Sequence, residues 1–340
     1  MQRLGVALIP HRDITMADYI RLAQLAEQQG YDSLWAGESN GLELFTWLGV
    51  LLSHTLRIKV APGIASIFTR TPTLMTMAAA TLHAIAPHRT ILGLGVSTRI
   101  IVGQWHGLVW DQPLERIAEY LQVLRQGLRG ERLIHQGTYY HAEQFRLGVE
   151  APGEVPIYLA AVNPKMLRLA GALADGVLLT WVPLEMVPQV VAEIRAGAQE
   201  TGRDPQTVDI ALYLRTCVTD DRAAAFEWLR REITGYTVAD VYSRVFRRFG
   251  FGAEVDAMQR AWQRGERREA LHYISDRMVE ALGVIGTAEV CRTRLRQFAE
   301  AGITLPIVLP FTSEAAGAQG YLRTIGALAA QALAGYGILR

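Results

Sequence analysis

The chain has 340 residues, half of them hydrophobic, with 34 Lys and Arg against 33 Asp and Glu and a formal net charge of +1. So even a balance leaves no broad basic footprint for nucleic acid, and the length and apolar content supply a large globular core. Two cysteines, Cys217 and Cys291, are too few and too far apart for a disulfide framework or a metal knuckle, and no apolar run is long enough to span a bilayer.

The first nine residues read as a strand that meets Pro10 and His11 at once, without the apolar stretch and cleavage site of a signal peptide, so a soluble cytoplasmic protein is expected. Residues 4–9 form the first predicted strand. Thr15, with Asp18 three positions on, caps a helix whose Tyr19, Leu22, Ala23 and Ala26 share one face and which Gly30 closes. Residues 33–36 are a second strand and 43–53 a helical stretch. Residues 57–61 are a third strand, and Thr71-Pro72 opens an alanine-rich helix with proline at its preferred first position. A fourth strand over 90–94 leads to a helix over 114–128. Residues 132–147 are predicted as an inserted β-hairpin turning near Gln136-Gly137, with Tyr139 and Tyr140 on the return arm. The fifth strand, 156–160, precedes a helix started by Asn163-Pro164, and 176–180 and 208–213 are the sixth and seventh. Residues 220–282 form a long helical insertion rich in arginine and aromatics, among them Tyr236, Tyr242, Phe249 and Phe251. Its charges suit a solvated outer face and its aromatics a cover over a ligand. Residues 305–308 make the eighth strand. Eight strand–helix units point to an α/β fold, a closed (β/α)8 TIM barrel occupying 1–340 as one domain, with a doubly wound open sheet as the alternative.

In such a barrel the site is built from the loops that follow the strands. Here they offer Gly37-Glu38-Ser39-Asn40-Gly41, Pro62-Gly63-Ile64-Ala65-Ser66, Gly93 and Gly95-Val96-Ser97, Trp105-His106-Gly107, Ala160-Ala161-Val162-Asn163 and Thr180-Trp181. The set is poor in acid–base pairs. It holds no His/Asp/Glu cluster at metal-ligand spacing, no Gly-x-Ser-x-Gly elbow and no activated nucleophile, and Gly93-x-Gly95-x-x lacks the third glycine of the dinucleotide fingerprint. Backbone, small residues and hydroxyls suit a large flat cofactor that performs the difficult chemistry itself. Taken singly, Glu38 reads equally as a solvated loop carboxylate, His106 as a loop histidine and the glycines as room in a crowded turn. Asn163 caps its helix in any case. A cation at Lys165 or Arg168 in the first turns of that helix gains nothing from the dipole, which favours an anion-binding role for one of them.

Six stretches occur together and in order: Gly30-Tyr-Asp-Ser-Leu-Trp-Ala-Gly-Glu38, Pro62-Gly-Ile-Ala-Ser-Ile-Phe-Thr-Arg-Thr-Pro72, Ile91-Leu-Gly-Leu-Gly-Val-Ser97, Trp105-His-Gly107, Pro156-Ile-Tyr-Leu-Ala-Ala161 and Leu169-Ala-Gly-Ala-Leu-Ala-Asp-Gly176. In this set the chain resembles the bacterial luciferase-like superfamily and, within it, the branch that uses the deazaflavin coenzyme F420, including the methylenetetrahydromethanopterin reductases. The resemblance implies an eight-stranded barrel with an insertion before the last strand. It implies a non-prolyl cis peptide at Gly63–Ile64, in the bulge that continues through Ala65, pressed against the deazaflavin face. Gly95, Val96 and Ser97 would then flank the ring and its ribityl arm, while Ala160, Ala161, Val162 and Asn163 approach the phosphate. Glu38 and Ser39 would lie near the reacting edge, with Glu38, Ser39 and His106 as candidate proton relays and no metal. Ser39 stands where relatives with a flavin-reactive histidine carry it, which counts against oxygenation. Val162 and Asn163 replace two glycines of sugar-phosphate-oxidising relatives, which counts against that substrate. The implied activity is hydride transfer between C5 of F420 and a small organic substrate, in a homodimer or higher oligomer without nucleic-acid or membrane partners. An FMN-dependent monooxygenase and a non-catalytic flavin- or F420-binding protein are the alternatives.

Overall fold

Short apolar strands alternating with one-faced helices bury both faces under helices either in an open doubly wound sheet or in a closed ring, and this chain closes the ring. The computed structural model describes residues 3–312 and 318–329; the extreme ends of the span 1–340 lie outside them. The strands are β1 (Gly5–Leu8), β2 (Ser33–Ala36), β3 (Lys59–Pro62), β4 (Ala65–Ser66), β5 (Leu92–Gly95), β6 (Leu133–Gln136), β7 (His141–Phe145), β8 (Ile157–Ala160), β9 (Gly176–Thr180), β10 (Asp209–Val218), β11 (Gly283–Gly286) and β12 (Leu305–Pro310). The main sheet runs β3-β2-β1-β12-β10-β9-β8-β5-β4, and its neighbours pair parallel. Because β3 and β4 are consecutive pieces of one strand position, the ring has the eight positions expected. It closes where Val60 bridges Thr90, with the Val60 amide donating to the Arg89 carbonyl at 2.8 Å and the Ile91 amide to the Val60 carbonyl at 2.9 Å.

Local chemistry sets the element ends. Thr15 and Asp18 form a reciprocal capping box, and the face buried on that helix is Tyr19, Leu22, Ala23 and Ala26. Glu43, Thr71 and Asn163 cap the helices Leu44–Ser53, Pro72–Ile85 and Pro164–Leu173. The seventh strand runs to Val218 rather than ending near Tyr213, because its outer half is held by β12 on one side and β11 on the other. Neither β11 nor the helix Ala288–Glu300 was expected; Gly-Val-Ile-Gly is too short and too glycine-rich to announce a strand.

β6 and β7 pair antiparallel as a hairpin. One carboxylate fastens it to the helix Pro113–Leu128: Glu119 accepts from the backbone amides of Thr138, Tyr139 and Tyr140 and lies 3.2 Å from His135 Nε2. Between β10 and β11 the chain forms the helices Arg222–Thr237, Asp240–Phe246, Gly252–Gln263, Arg267–His272 and Asp276–Leu282. Their Ile233, Phe246 and Phe251 belong to the main hydrophobic cluster, so this segment packs on the barrel.

The barrel interior is filled by alternate residues, including Ala7, Trp35, Ala61, Ile91, Tyr158, Leu178, Ala211, Tyr213 and Ile307. Its lower end is plugged by polar groups. Asp209 accepts from the hydroxyls of Tyr158 and Thr304 and pairs with Arg3, which also reaches Asp32 at 3.3 Å. Burial pushes the Asp209 carboxyl up, but Thr304, Tyr158 and Arg3 more than offset it and hold it below the usual aspartate range.

Two outcomes are expected. A Cβ on Gly93 would lie 2.0 Å from the Pro62 carbonyl oxygen, whereas nothing lies within 4 Å of one on helical Gly235. Urea unfolding should show Gly93→Ala losing about 3 kcal/mol or more and Gly235→Ala unchanged or gaining up to ~1 kcal/mol. Asp209→Asn should cost about 2 kcal/mol near neutral pH. A depressed native pKa stabilises above the unfolded value and is lost below it, so the gap between wild type and Asp209→Asn should narrow as pH falls through 3.8 and lower.

Candidate active site

Side chains alternate along a strand, so the interior set fixes what faces the barrel mouth one step further up. Beyond Trp35, Ala61, Tyr158, Leu178 and Tyr213 the inward positions are Gly37, Gly63, Ala160, Thr180 and Arg215, and β5 contributes Gly93 and Gly95. One half of the mouth is therefore lined by glycine and alanine, and the other by a hydroxyl, a phenol and a guanidinium.

The small half brings three expected segments together. The Gly63–Ile64 peptide bond is cis, as the resemblance implies. The Tyr213 hydroxyl donates to the Gly63 carbonyl at 3.2 Å, and it fills the space a Cβ would need, 1.7 Å from that position. Ile64 turns over β5: a Cβ on Gly95 would meet Ile64 Cγ1 and Cδ1 at 3.0 Å and Ala160 Cβ at 3.2 Å. Ile64, Gly95 and Ala160 thus form one continuous apolar surface, with Ile64 and Ala160 part-exposed at the mouth and Ala65 buried beside it. Val96 and Ser97 continue that surface, both half-buried. Ser97 has φ +54°, and the Val96 carbonyl accepts from Trp110 Nε1 at 2.8 Å. Ala161 is buried, Val162 half-buried and Asn163 exposed. The Asn163 side-chain oxygen accepts from the Met166 amide at 3.0 Å, the capping role expected of it. Val245 and Phe249 of the helical segment line a small cavity with Ala161, Val162 and Thr180.

The candidate proton relays differ in their surroundings. Glu38 is not a solvated loop carboxylate: Arg70 Nη2 and Nη1 donate to its two oxygens at 2.6 and 2.9 Å. Arg70 Nη2 also reaches Glu43 at 2.8 Å, and Glu43 accepts from the Phe45 and Thr46 amides at the start of its helix. Burial pushes the Glu43 carboxyl up, yet Thr46, Arg70 and Phe45 together bring it down to about 2. Both Glu38 oxygens thus serve as hydrogen-bond acceptors of the Arg70 guanidinium. Ser39 is exposed, and His106 is exposed at the end of a π-helical turn, Ile100–Trp105. Among the described residues no hydrogen bond or ion pair joins Ser39 or His106 to Glu38 or to the Ile64–Gly95–Ala160 surface. The anion-binding expectation fails for Arg168, whose guanidinium is taken by Glu193 at 2.8 Å and Glu200 at 2.5 Å on the outer helix.

Two arginines stand at the mouth. Thr69-Arg70 is one of the loop stretches that follow the third strand, on the rim where the site is expected, but no role attaches to Arg70 in the sequence. Arg215 lay beyond the expected end of its strand, yet Ala211, Tyr213 and Arg215 alternate in register, and that period-two pattern was the available signal. Trp181, at φ +59°, is buried under it. Among the described residues no group of His, Cys, Asp and Glu is placed to hold a metal ion, and no helix is long and apolar enough to cross a membrane.

Comparison with known proteins agrees with this geometry. The family model described as luciferase-like monooxygenase matches residues 3–305. The chain is 31% identical over 304 residues to a 5,10-methylenetetrahydromethanopterin reductase of Methanolobus tindarius, covering 88% of this chain and 91% of that one. It is 27% identical over 308 residues to the enzyme of the same name from Archaeoglobus fulgidus, covering 89% and 91%. Among solved structures, the coenzyme F420-dependent tetrahydromethanopterin reductase of Methanopyrus kandleri superposes with a TM-score of 0.82 at 23% identity over 96% of this chain and 97% of that one, a likeness of fold. The chain belongs to the luciferase-like monooxygenase family, and its barrel is the family's barrel.

Proposed function

We propose that this chain is an F420-dependent oxidoreductase that passes hydride between the deazaflavin and a small organic substrate. The observation that carries the reading is the single apolar surface made by Ile64, Gly95 and Ala160 at a mouth otherwise short of acid–base groups. That surface fits a flat ring: it is smooth on the glycine side, bordered by the Ser97 hydroxyl, and followed by the exposed start of the helix Pro164–Leu173 where a phosphate would lie. The bound deazaflavin supplies or accepts the hydride. The chain's part would be to bind and orient: Ile64, Gly95 and Ala160 would hold the ring on their common apolar surface, and Glu38, held by Arg70, would serve as a fixed hydrogen-bond acceptor beside the mouth. A relative from Mycobacterium tuberculosis, 28% identical over 325 residues and named a putative coenzyme F420-dependent oxidoreductase, supports F420 over FMN. FMN-dependent oxygenation is the second reading, supported by the name of the family model.

Titration of the purified protein with F420 and with FMN, followed by fluorescence, tests this. Saturable F420 binding is expected, weakened about tenfold or more in Gly95→Val, whose side chain would enter the space shared by Ile64 and Ala160. Tight FMN binding with no response to F420, together with oxygen uptake in the presence of reduced FMN, overturns the reading. We further propose a homodimer. Its support is the outer face of the helix Pro72–Ile85, where Leu74, Met77 and Ile85 are 48%, 49% and 43% exposed. Light scattering should give twice the chain mass for wild type and a lower mass for Met77→Glu; a monomeric wild type overturns it.

A further inference from the structure

Among the described residues Arg215 is the only charged residue that is fully buried, with 3% of its surface exposed. Taking a cation out of water is unfavourable unless it is paired, so a barrel mouth that keeps one has a use for it or a partner that neutralises it. Arg215 has a partner, held loosely. Its Nε donates to Glu232 Oε1 at 3.2 Å, the one hydrogen bond Glu232 makes among the described residues. The Glu232 side chain is 22% exposed and comes from the helix Arg222–Thr237, which lies over the barrel from outside. The guanidinium itself is held firmly. It stacks on the Trp181 ring with its central carbon 3.5 Å from the ring centroid, Tyr236 stands 5.4 Å away, and Nη1 donates to the Thr180 hydroxyl at 2.6 Å. The inward side of β10 places it one step above Tyr213, whose hydroxyl already reaches across the mouth to Gly63.

A planar cation fixed by an aromatic face and a neutral hydroxyl, and offered to an exchangeable carboxylate, is built for oxyanion recognition. We propose that Arg215 is the anion-recognition residue of the barrel mouth, and that Glu232 occupies its place until a ligand carboxylate or phosphate displaces it. The proposal rests on reading the mouth as the ligand site, but not on the identity of the cofactor. Displacement leaves the stack on Trp181 and the bond to Thr180 in place. It frees Glu232 and releases that tie between the helix Arg222–Thr237 and the barrel.

A purely structural role, in which the pair only pins the helix to the barrel, makes the opposite prediction for one variant, and calorimetry on the full chain separates the two. With inorganic phosphate as probe, Glu232→Gln removes the competing carboxylate and should bind about fivefold more tightly than wild type, while Arg215→Met should bind at least about tenfold more weakly. A structural pin predicts that Glu232→Gln gains nothing, and that result overturns the proposal. Should Arg215→Met fail to fold, Arg215→Lys, which keeps the charge but loses the fork, replaces it and should give intermediate weakening. Titrating the same variants with F420 and with its phosphate-free deazaflavin assigns the source. A gain in Glu232→Gln for F420 alone places the anion on the phosphate-bearing tail, a gain for both places it on the ring, and a gain for phosphate with neither places it on the substrate. The phosphate arm needs no F420, so failure to bind F420 and failure of Arg215 to recognise an anion are separate results.

Discussion

The barrel depends on one strand position dividing its hydrogen bonds between two neighbours. β3 gives its edge to β2 from Lys59 to Pro62, and β4 gives its edge to β5 at Ala65 and Ser66. Only the Val60–Thr90 bridge spans the junction below. For the two edges to meet, β5 must pass close beneath the Pro62 carbonyl, and Gly93 allows this because it brings no Cβ into that space. The same division leaves Gly63 and Ile64 between the two strands: the Gly63 amide makes the last bond to β2, donating to the Ala36 carbonyl at 2.7 Å. Beyond that bond the interior sets the backbone, where Tyr213 holds the Gly63 carbonyl and Ile64 is laid across Gly95. Closing the ring and shaping the floor of the mouth are therefore one geometric event.

Most of the barrel could be read from residue order because local chemistry and tertiary packing agree there. Thr15 with Asp18, Thr71 with Pro72 and Asn163 with Pro164 each start a helix for reasons contained within four residues. The misses lie where long-range pairing decides. β10 keeps its extended form past Tyr213 only because β11 and β12 flank it, and β11 exists only because β10 does. The site divides in the same way. Gly63, Gly95 and Ala160 stood out as small residues at strand ends, whereas the partnership of Glu38 with Arg70 spans 32 positions and carries no local mark. His106 and Ser39 became candidates through the family resemblance, and in the fold both are exposed.

The charges at the mouth are arranged in two unequal groups. On one side Arg70 stands between Glu38 and Glu43, two carboxylates to one guanidinium, braced by Phe45 at 5.2 Å. On the other, Arg215 stands with a single carboxylate, Glu232 at 3.2 Å, against Trp181. A small-residue floor lies between a net-negative group and a neutral ion pair, so a polarisable ring seated there would feel an uneven field. Such an arrangement supplies orientation and electrostatics without a side chain that must itself change covalent state, which accords with how few nucleophiles the loops contain.

The polar plug at the lower end has a consequence for traffic. Tyr158, Asp209, Arg3 and Thr304 seal the barrel with hydrogen-bonded groups, and Trp35 packs edge-on against Tyr158 at 5.3 Å above them. A vessel closed at its base has one doorway. A molecule held at the mouth of this barrel would enter and leave by the same opening, and two molecules sharing it would have to take turns. A knot of charge at the far end of the barrel would then bear on their order without touching either.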